Sequence, residues 1–196
     1  MNNDTMRKEA FQLFDAANAQ DPNTVEDHGE QQPKELVFAK RLSNAVNSLS
    51  ANASESLKLA ARCQHICRWK IPRNTEPMGR AGYLKWRAGL KKFHAETSAK
   101  ILREVGYDDE TVERVKSLNQ KKNLKTDPEC QTLEDALCLV FLEYQFDTLI
   151  SETEHEKMIK IVQKTWAKMS TAGQEKALSL NFSEKAQSIL NESLNE

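Results

Sequence analysis

Glycine is scarce in this sequence, six residues in 196, and no stretch alternates apolar and polar residues with the period of a strand. Both absences argue against a sheet and leave helical periodicity as the organising pattern. No apolar run approaches the roughly 20 residues that a bilayer-crossing helix needs. The opening segment MNNDTMRKEAFQLF lacks the uninterrupted apolar core of a secretion signal, so the chain reads as cytoplasmic. Four cysteines, Cys63, Cys67, Cys130 and Cys138, are too few for a disulfide framework in a chain of this size. Cys63 and Cys67, four apart on one expected helix, read as buried reduced thiols more readily than as half of a zinc site. Neither a P-loop nor the dinucleotide glycine fingerprint is present, which removes the two commonest glycine-built phosphate cradles. There is no internal repeat and no low-complexity tract. The formal net charge is -1, so nothing global favours a polyanionic partner.

What remains predicts an all-α fold, a single compact multi-helix domain over residues 1–196. Periodicity places helices at about 5–18, 54–70, 80–104, 109–124, 128–150 and 152–169, with two short segments following Gly173. Another begins after Pro33 and carries the stripe Leu36, Val37, Ala39, Leu42, Val46 and Leu49. Pro72 ends the third helix, Gly106 caps the fourth, and Ser183 caps the last. Residues 19–32 read as a polar loop broken by Pro22 and Gly29, either functional or plain surface, and residues 190–196 as a fraying tail. The 128–150 helix is apolar around most of its circumference, which makes it central. Its acids Glu134 and Asp135 would then be desolvated and need partners or a metal.

The stretch from Arg62 to His94 is the chemical focus. Nine basic residues there face one acid, Glu76, and the stretch holds Trp69 and Trp86 with His65 and His94. Arginine among aromatics suits planar anions or nucleobases. On a continuous helix, Arg68 and Trp69 follow His65 along one side; farther on, Tyr83, Arg87, Leu90 and His94 share a face. Glu35, in the first turn of its helix, is either a ligand or a carboxylate placed by the helix dipole. The basic cluster Lys116, Lys121, Lys122 and Lys125 is explained by the dipole alone.

A resemblance covers nearly the whole chain. DPN at 21–23, PKEL at 33–36, QHICRWKIPR at 64–73, GRAGYLKWR at 79–87, FHAE at 93–96, DPECQTLEDALCLVFLE at 127–143 and KTWAKMS at 164–170 together resemble the domain-of-unknown-function family numbered 4202. That family name implies no activity. A weaker resemblance, in helix order, is to the HD superfamily of all-helical metal-dependent phosphohydrolases. It implies an HD-like arrangement with Glu35, His65 and Glu134 or Asp135 as a carboxylate-rich metal site for manganese, magnesium or iron. The pattern departs from that superfamily where His65 is followed by Ile66 rather than aspartate, and where Glu35 stands for a histidine.

Two functions are therefore expected. In the first, a divalent metal on Glu35, His65 and Asp135 activates water for a nucleotide-like phosphate ester, Glu134 and His94 serve catalysis, and Arg68, Arg73, Arg80 and Arg87 grip the phosphate. Trp69, Tyr83 and Trp86 stack on a base. In the second, the same basic and aromatic residues hold a nucleotide or single-stranded RNA without turnover. In a third, plainer account the acids and arginines neutralise each other. Both functional readings require Glu35, His65, Arg68, Arg73, Tyr83, Arg87, His94, Glu134 and Asp135 to line one common pocket.

Overall fold

The computed structural model describes residues 2–195 apart from Lys125. Helix α1 spans Asn3–Asn18. A hairpin follows, β1 Thr24–Asp27 and β2 Glu30–Pro33, and leads into α2 Lys34–Leu49 and α3 Glu55–Cys63. Two single 3-10 turns, Arg68–Lys70 and Arg73–Thr75, precede α4 Arg80–Val105. Then come α5 Asp109–Asn119, α6 Pro128–Tyr144, α7 Phe146–Glu152, α8 His155–Trp166, α9 Thr171–Leu178 and α10 Glu184–Asn195. The fold is mainly α-helical, as composition predicts.

Many starts are written in the sequence. Ser54, Asp108, Asp127 and Ser170 each accept a hydrogen bond from a backbone N–H of the first turn they precede, and Pro128 fills the position where a missing N–H costs nothing. Ser183 Oγ likewise accepts from Ala186 N–H. Gly106, at φ 99°, closes α4 in the left-handed conformation that a side chain disfavours.

Two hydrophobic clusters share one helix. Elements α1 to α5 pack Phe14, Leu42, Leu59, Leu102 and Leu118 against Leu133, Ala136 and Val140 of α6. The opposite side of α6, with Cys138, Leu139 and Leu142, packs on Phe146, Met158, Val162 and Leu190 of α7, α8 and α10. A fully buried leucine is worth roughly 2 kcal/mol, so a helix apolar on both sides is stable only between two such layers. The expected centrality of α6 holds.

Several boundaries differ from the sequence reading; α5 ends at Asn119 rather than 124, and α8 spans His155–Trp166 rather than 152–169. The third helix does not reach Lys70. It stops at Cys63, and Cys67 adopts φ 53°. The reason is Asn18, buried at the end of α1, whose Oδ1 accepts the Cys67 N–H at 3.0 Å. A continuing helix would have spent that N–H on Cys63. Asn18→Ala would leave a buried donor unmet, and urea unfolding should show a loss of about 1–3 kcal/mol. An unchanged midpoint would mean the turn does not depend on this anchor.

The expected 128–150 helix breaks at Gln145, where φ is -124°, so that Phe146 packs against Phe141 and Phe182. The expected polar loop 19–32 contains the hairpin. His28 and Gly29, both at positive φ, form its two-residue turn, and Asp27 pairs with Glu30. Finally, residues 190–195 are helical rather than frayed, with Leu190 fully buried; Glu196, like Lys125 of the basic cluster, lies outside the described residues.

Candidate functional site

Two adjoining clefts, of about 680 and 600 Å³, share His65, Arg68, Trp86 and Gln145 on their walls and so form two lobes of one site. The first lobe lies between the hairpin with α2 and the irregular turn 65–73. Glu35, Phe38, Arg41, Trp69, Arg73 and Tyr144 line it. The second is bounded by that turn, α4, α6 and α8, and is lined among others by Gln64, Tyr83, Arg87, Lys91, His94 and Lys121. Glu134, Phe141 and Lys168 complete its wall.

The turn exists because α3 stops early. It swings His65 onto Phe38 of α2, ring centroids 4.2 Å apart and nearly parallel, and sets it 5.7 Å from the His94 ring. Trp86 is oriented by its indole N–H, which donates to Ile71 O at 2.9 Å. Arg68 lays its guanidinium 5.3 Å from the centre of the Trp86 ring. Among the described residues its nearest acid is Glu35, with Nε 4.0 Å from Oε1, too far for a hydrogen bond. Arg68 thus stands at the waist of the site with its donors uncommitted.

Both lobes carry surplus positive charge. Arg68, Arg87, Lys91, Lys121 and Lys168 face the second lobe against one acid, Glu134, which is ion-paired to Lys121. Lys34, Arg41, Arg68 and Arg73 face the first against Glu35, and Arg41 is bound to Asp27 at 2.6 Å. Burial lowers the Lys91 ammonium's affinity for its proton, and the like charges of Lys121 and Arg87 lower it further.

The buried acid and imidazoles are tuned. Burial pushes the Glu35 carboxyl up to about 7; Arg68 opposes the rise, Asp21 adds to it and Lys34 opposes it. Among the described residues its Oε2 has no hydrogen-bond partner, and it lies 3.8 Å from His65 Nδ1. Asp21 sits close because its own carboxylate accepts the Glu35 backbone N–H and thereby caps α2. Burial and then the charges of Arg68, His94, Lys121 and Arg87 hold His65 well below its ordinary value, although a quarter (24%) of its side chain stays open to solvent. Burial lowers His94 to about 4. Its Nδ1 is 2.8 Å from Ile66 O; a carbonyl only accepts, so Nδ1 carries the proton and Nε2 the lone pair.

The structure therefore gathers Glu35, His65, Arg68, Trp69, Arg73, Tyr83, Trp86, Arg87, His94 and Glu134 in one double cleft. Arg73 stands there in another role than a phosphate fork: its N–H groups donate to the carbonyls of Glu76, Pro77 and Gly79 and staple the connector before α4. Arg80, expected to hold phosphate, lines neither lobe and is exposed. Asp135, expected as a metal ligand, also lines neither. Its carboxylate accepts the Ser170 N–H, the Ser170 hydroxyl and a Gln131 amide N–H, clasping α6 to the start of α9. Asp135 is turned away and Glu134 is ion-paired to Lys121, so of the expected donors Glu35 and His65 are the two that stand side by side, 3.8 Å apart. Among the described residues no three histidine, cysteine or acidic side chains come within reach of one ion. The four cysteines are buried free thiols.

Sequence reasoning missed Phe38, Arg41, Tyr144, Gln145, Lys91, Lys121 and Lys168. Phe38 lay beside an apolar stripe and Lys121 in a cluster already explained by a helix dipole. Gln145 becomes a wall of both lobes only because the helix breaks there.

One family model, described as a domain of unknown function (DUF4202), matches residues 8–190. That is nearly the whole chain, and the chain belongs to this family. No curated protein and no solved structure matches it. No helix among the described residues is long and apolar enough to cross a membrane.

Proposed function

We propose that this DUF4202-family chain binds a small nucleotide-like phosphate compound in the double cleft. The observation that carries the reading is the uncommitted guanidinium of Arg68, lying over Trp86 where the two cation-lined lobes meet. An arginine fork matches a phosphate in two parallel hydrogen bonds, and an adjacent indole offers a face for a base. Each lobe falls in the size range of small-molecule pockets, roughly 300–1,000 Å³. No step through a metal enters this reading.

Titration calorimetry with the nucleoside mono-, di- and triphosphates, alongside inorganic pyrophosphate, tests the proposal. Saturable binding of at least one nucleotide is expected, weakened about 30-fold in Arg68→Gln, which corresponds to roughly 2 kcal/mol, with no shift of the melting temperature. Absence of binding across the panel, or equal binding by the variant, would overturn it.

A second reading, hydrolysis of the bound phosphate ester, is favoured by one observation. Glu35 holds an unpartnered oxygen beside His65 and exchanges its proton near neutrality, as a general acid–base group requires. Release of inorganic phosphate by the wild type, lost in Glu35→Gln with nucleotide binding retained, would support turnover. Binding with no phosphate release would leave the binding function alone.

A further inference from the structure

Two residues on the wall of the second lobe carry buried acceptors that no described residue uses. His94 Nε2 and Gln64 Oε1 have no hydrogen-bond partner among the described residues. Both side chains line this lobe and both are more than nine-tenths buried, at 3% and 4% exposure. Each is fixed by its other end. The Nδ1–H of His94 donates to Ile66 O, and the amide N–H of Gln64 donates to Asn119 O at 3.3 Å. Ile66 O is available because α3 ends before it, and Arg68 and Lys70 take their backbone bonds from His65 and Cys67. The chain therefore holds two neutral acceptors among the cations Arg87, Lys91 and Lys121.

Cations alone would suit a bare phosphate. Acceptors set among them gain nothing from phosphate oxygens and need hydrogen-bond donors. A compound satisfying both carries an anion and hydroxyl groups close together, which is the chemistry of a sugar phosphate. On the reading that the cleft binds a nucleotide-like phosphate, we infer that His94 and Gln64 are its specificity-determining acceptors and take hydroxyl protons of the ligand's sugar in the second lobe. A site built to hydrogen-bond a hydroxyl rejects the analogue lacking it, since its buried polar atoms are then left unmet. Because burial keeps His94 neutral down to about 4, its lone pair is present at every ordinary assay pH.

The test is calorimetric titration of the full chain with ribonucleoside 5′-phosphates and their 2′-deoxy and 3′-deoxy counterparts, between pH 5.5 and 8. The wild type is expected to bind at least one deoxy form about tenfold more weakly than its ribo form, a step of roughly 1.4 kcal/mol, with a ratio that does not vary with pH. In His94→Phe the ribo form should weaken to the level of the deoxy form, while the deoxy form itself is little changed. Gln64→Met, close in shape and lacking the acceptor, gives the same readout if His94→Phe does not fold. Equal binding of ribo and deoxy forms by the wild type, or a ratio preserved in the foldable variants, overturns the inference and leaves the two side chains as packing alone. Failure of every nucleotide in the panel to bind instead removes the nucleotide reading on which the inference rests.

Discussion

Replacing Gly173 by alanine should destabilise the protein by about 3 kcal/mol in equilibrium urea unfolding. Helix propensity alone predicts the opposite sign, a gain of about 1 kcal/mol for alanine over glycine inside a helix. Packing decides otherwise. A Cβ at Gly173 would sit 2.6 Å from Asp135 Cγ and 2.8 Å from Oδ1. Asp135 is buried on α6, with its oxygens held by Ser170 and Gln131, so it has no free rotamer into which to retreat. Making room breaks bonds to a buried carboxylate, worth about 1.5–3 kcal/mol each when the acceptor is charged, and adds the strain of overpacking. An alanine variant as stable as the wild type would show that the clasp between α6 and α9 is loose.

The second large effect concerns pH. Glu35 titrates near 4.5 when unfolded and at about 7 when folded. Between those values the native state holds a proton that the unfolded state has released, so this residue makes stability fall as pH rises. Each unit is worth about 1.4 kcal/mol, and the whole window about 3. Asp21, Lys34, Arg68 and His65 are the charged and titratable groups that face it. His94 acts with the opposite sign. Its folded value of about 4 lies below the unfolded 6.5, so its contribution rises with pH across that interval, and His65 shares that direction. In Glu35→Gln only the histidine slopes remain. The variant should match the wild type near pH 4.5 and exceed it by on the order of 3 kcal/mol at pH 8. A stability difference that stays constant from pH 4.5 to 8 would mean Glu35 is not desolvated. A buried carboxylate whose charge costs this much, facing a cleft, is a candidate functional group.

Periodicity located the helices well because amphipathic stripes and caps are local signals. Ser54, Gly106 and Ser183 could be placed from their neighbours in sequence. The irregular turn at 64–70 could not, because its cause, the Asn18 side chain, is nearly fifty residues away. Helical spacing puts His65 and Arg68 on one strip of a continuous helix; in the structure they face Glu35 through a turn instead. The hairpin was missed because its strands are four residues long and polar, with no buried face to impose alternation. Its trace was the His28-Gly29 pair, a sequence suited to a turn with two positive φ angles. Asp135 reads as a ligand from composition and as a clasp only once Ser170 is seen beside it.

The sharing of α6 between two hydrophobic clusters has a kinetic consequence. Elements α7 to α10 bury their apolar side mainly against one side of α6, with Leu49 of α2 at the margin, so they form a unit that can open while α1 to α5 stay folded. Amide hydrogens of α8 and α10 should then exchange through sub-global opening, at rates above those of α3 and α6. The second lobe takes part of its wall from that unit, through Leu149, Ile161, Thr165 and Lys168, and part from α4. A molecule filling the lobe bridges the two units, so exchange in α8 and α10 should slow on occupancy even at amides far from any contact.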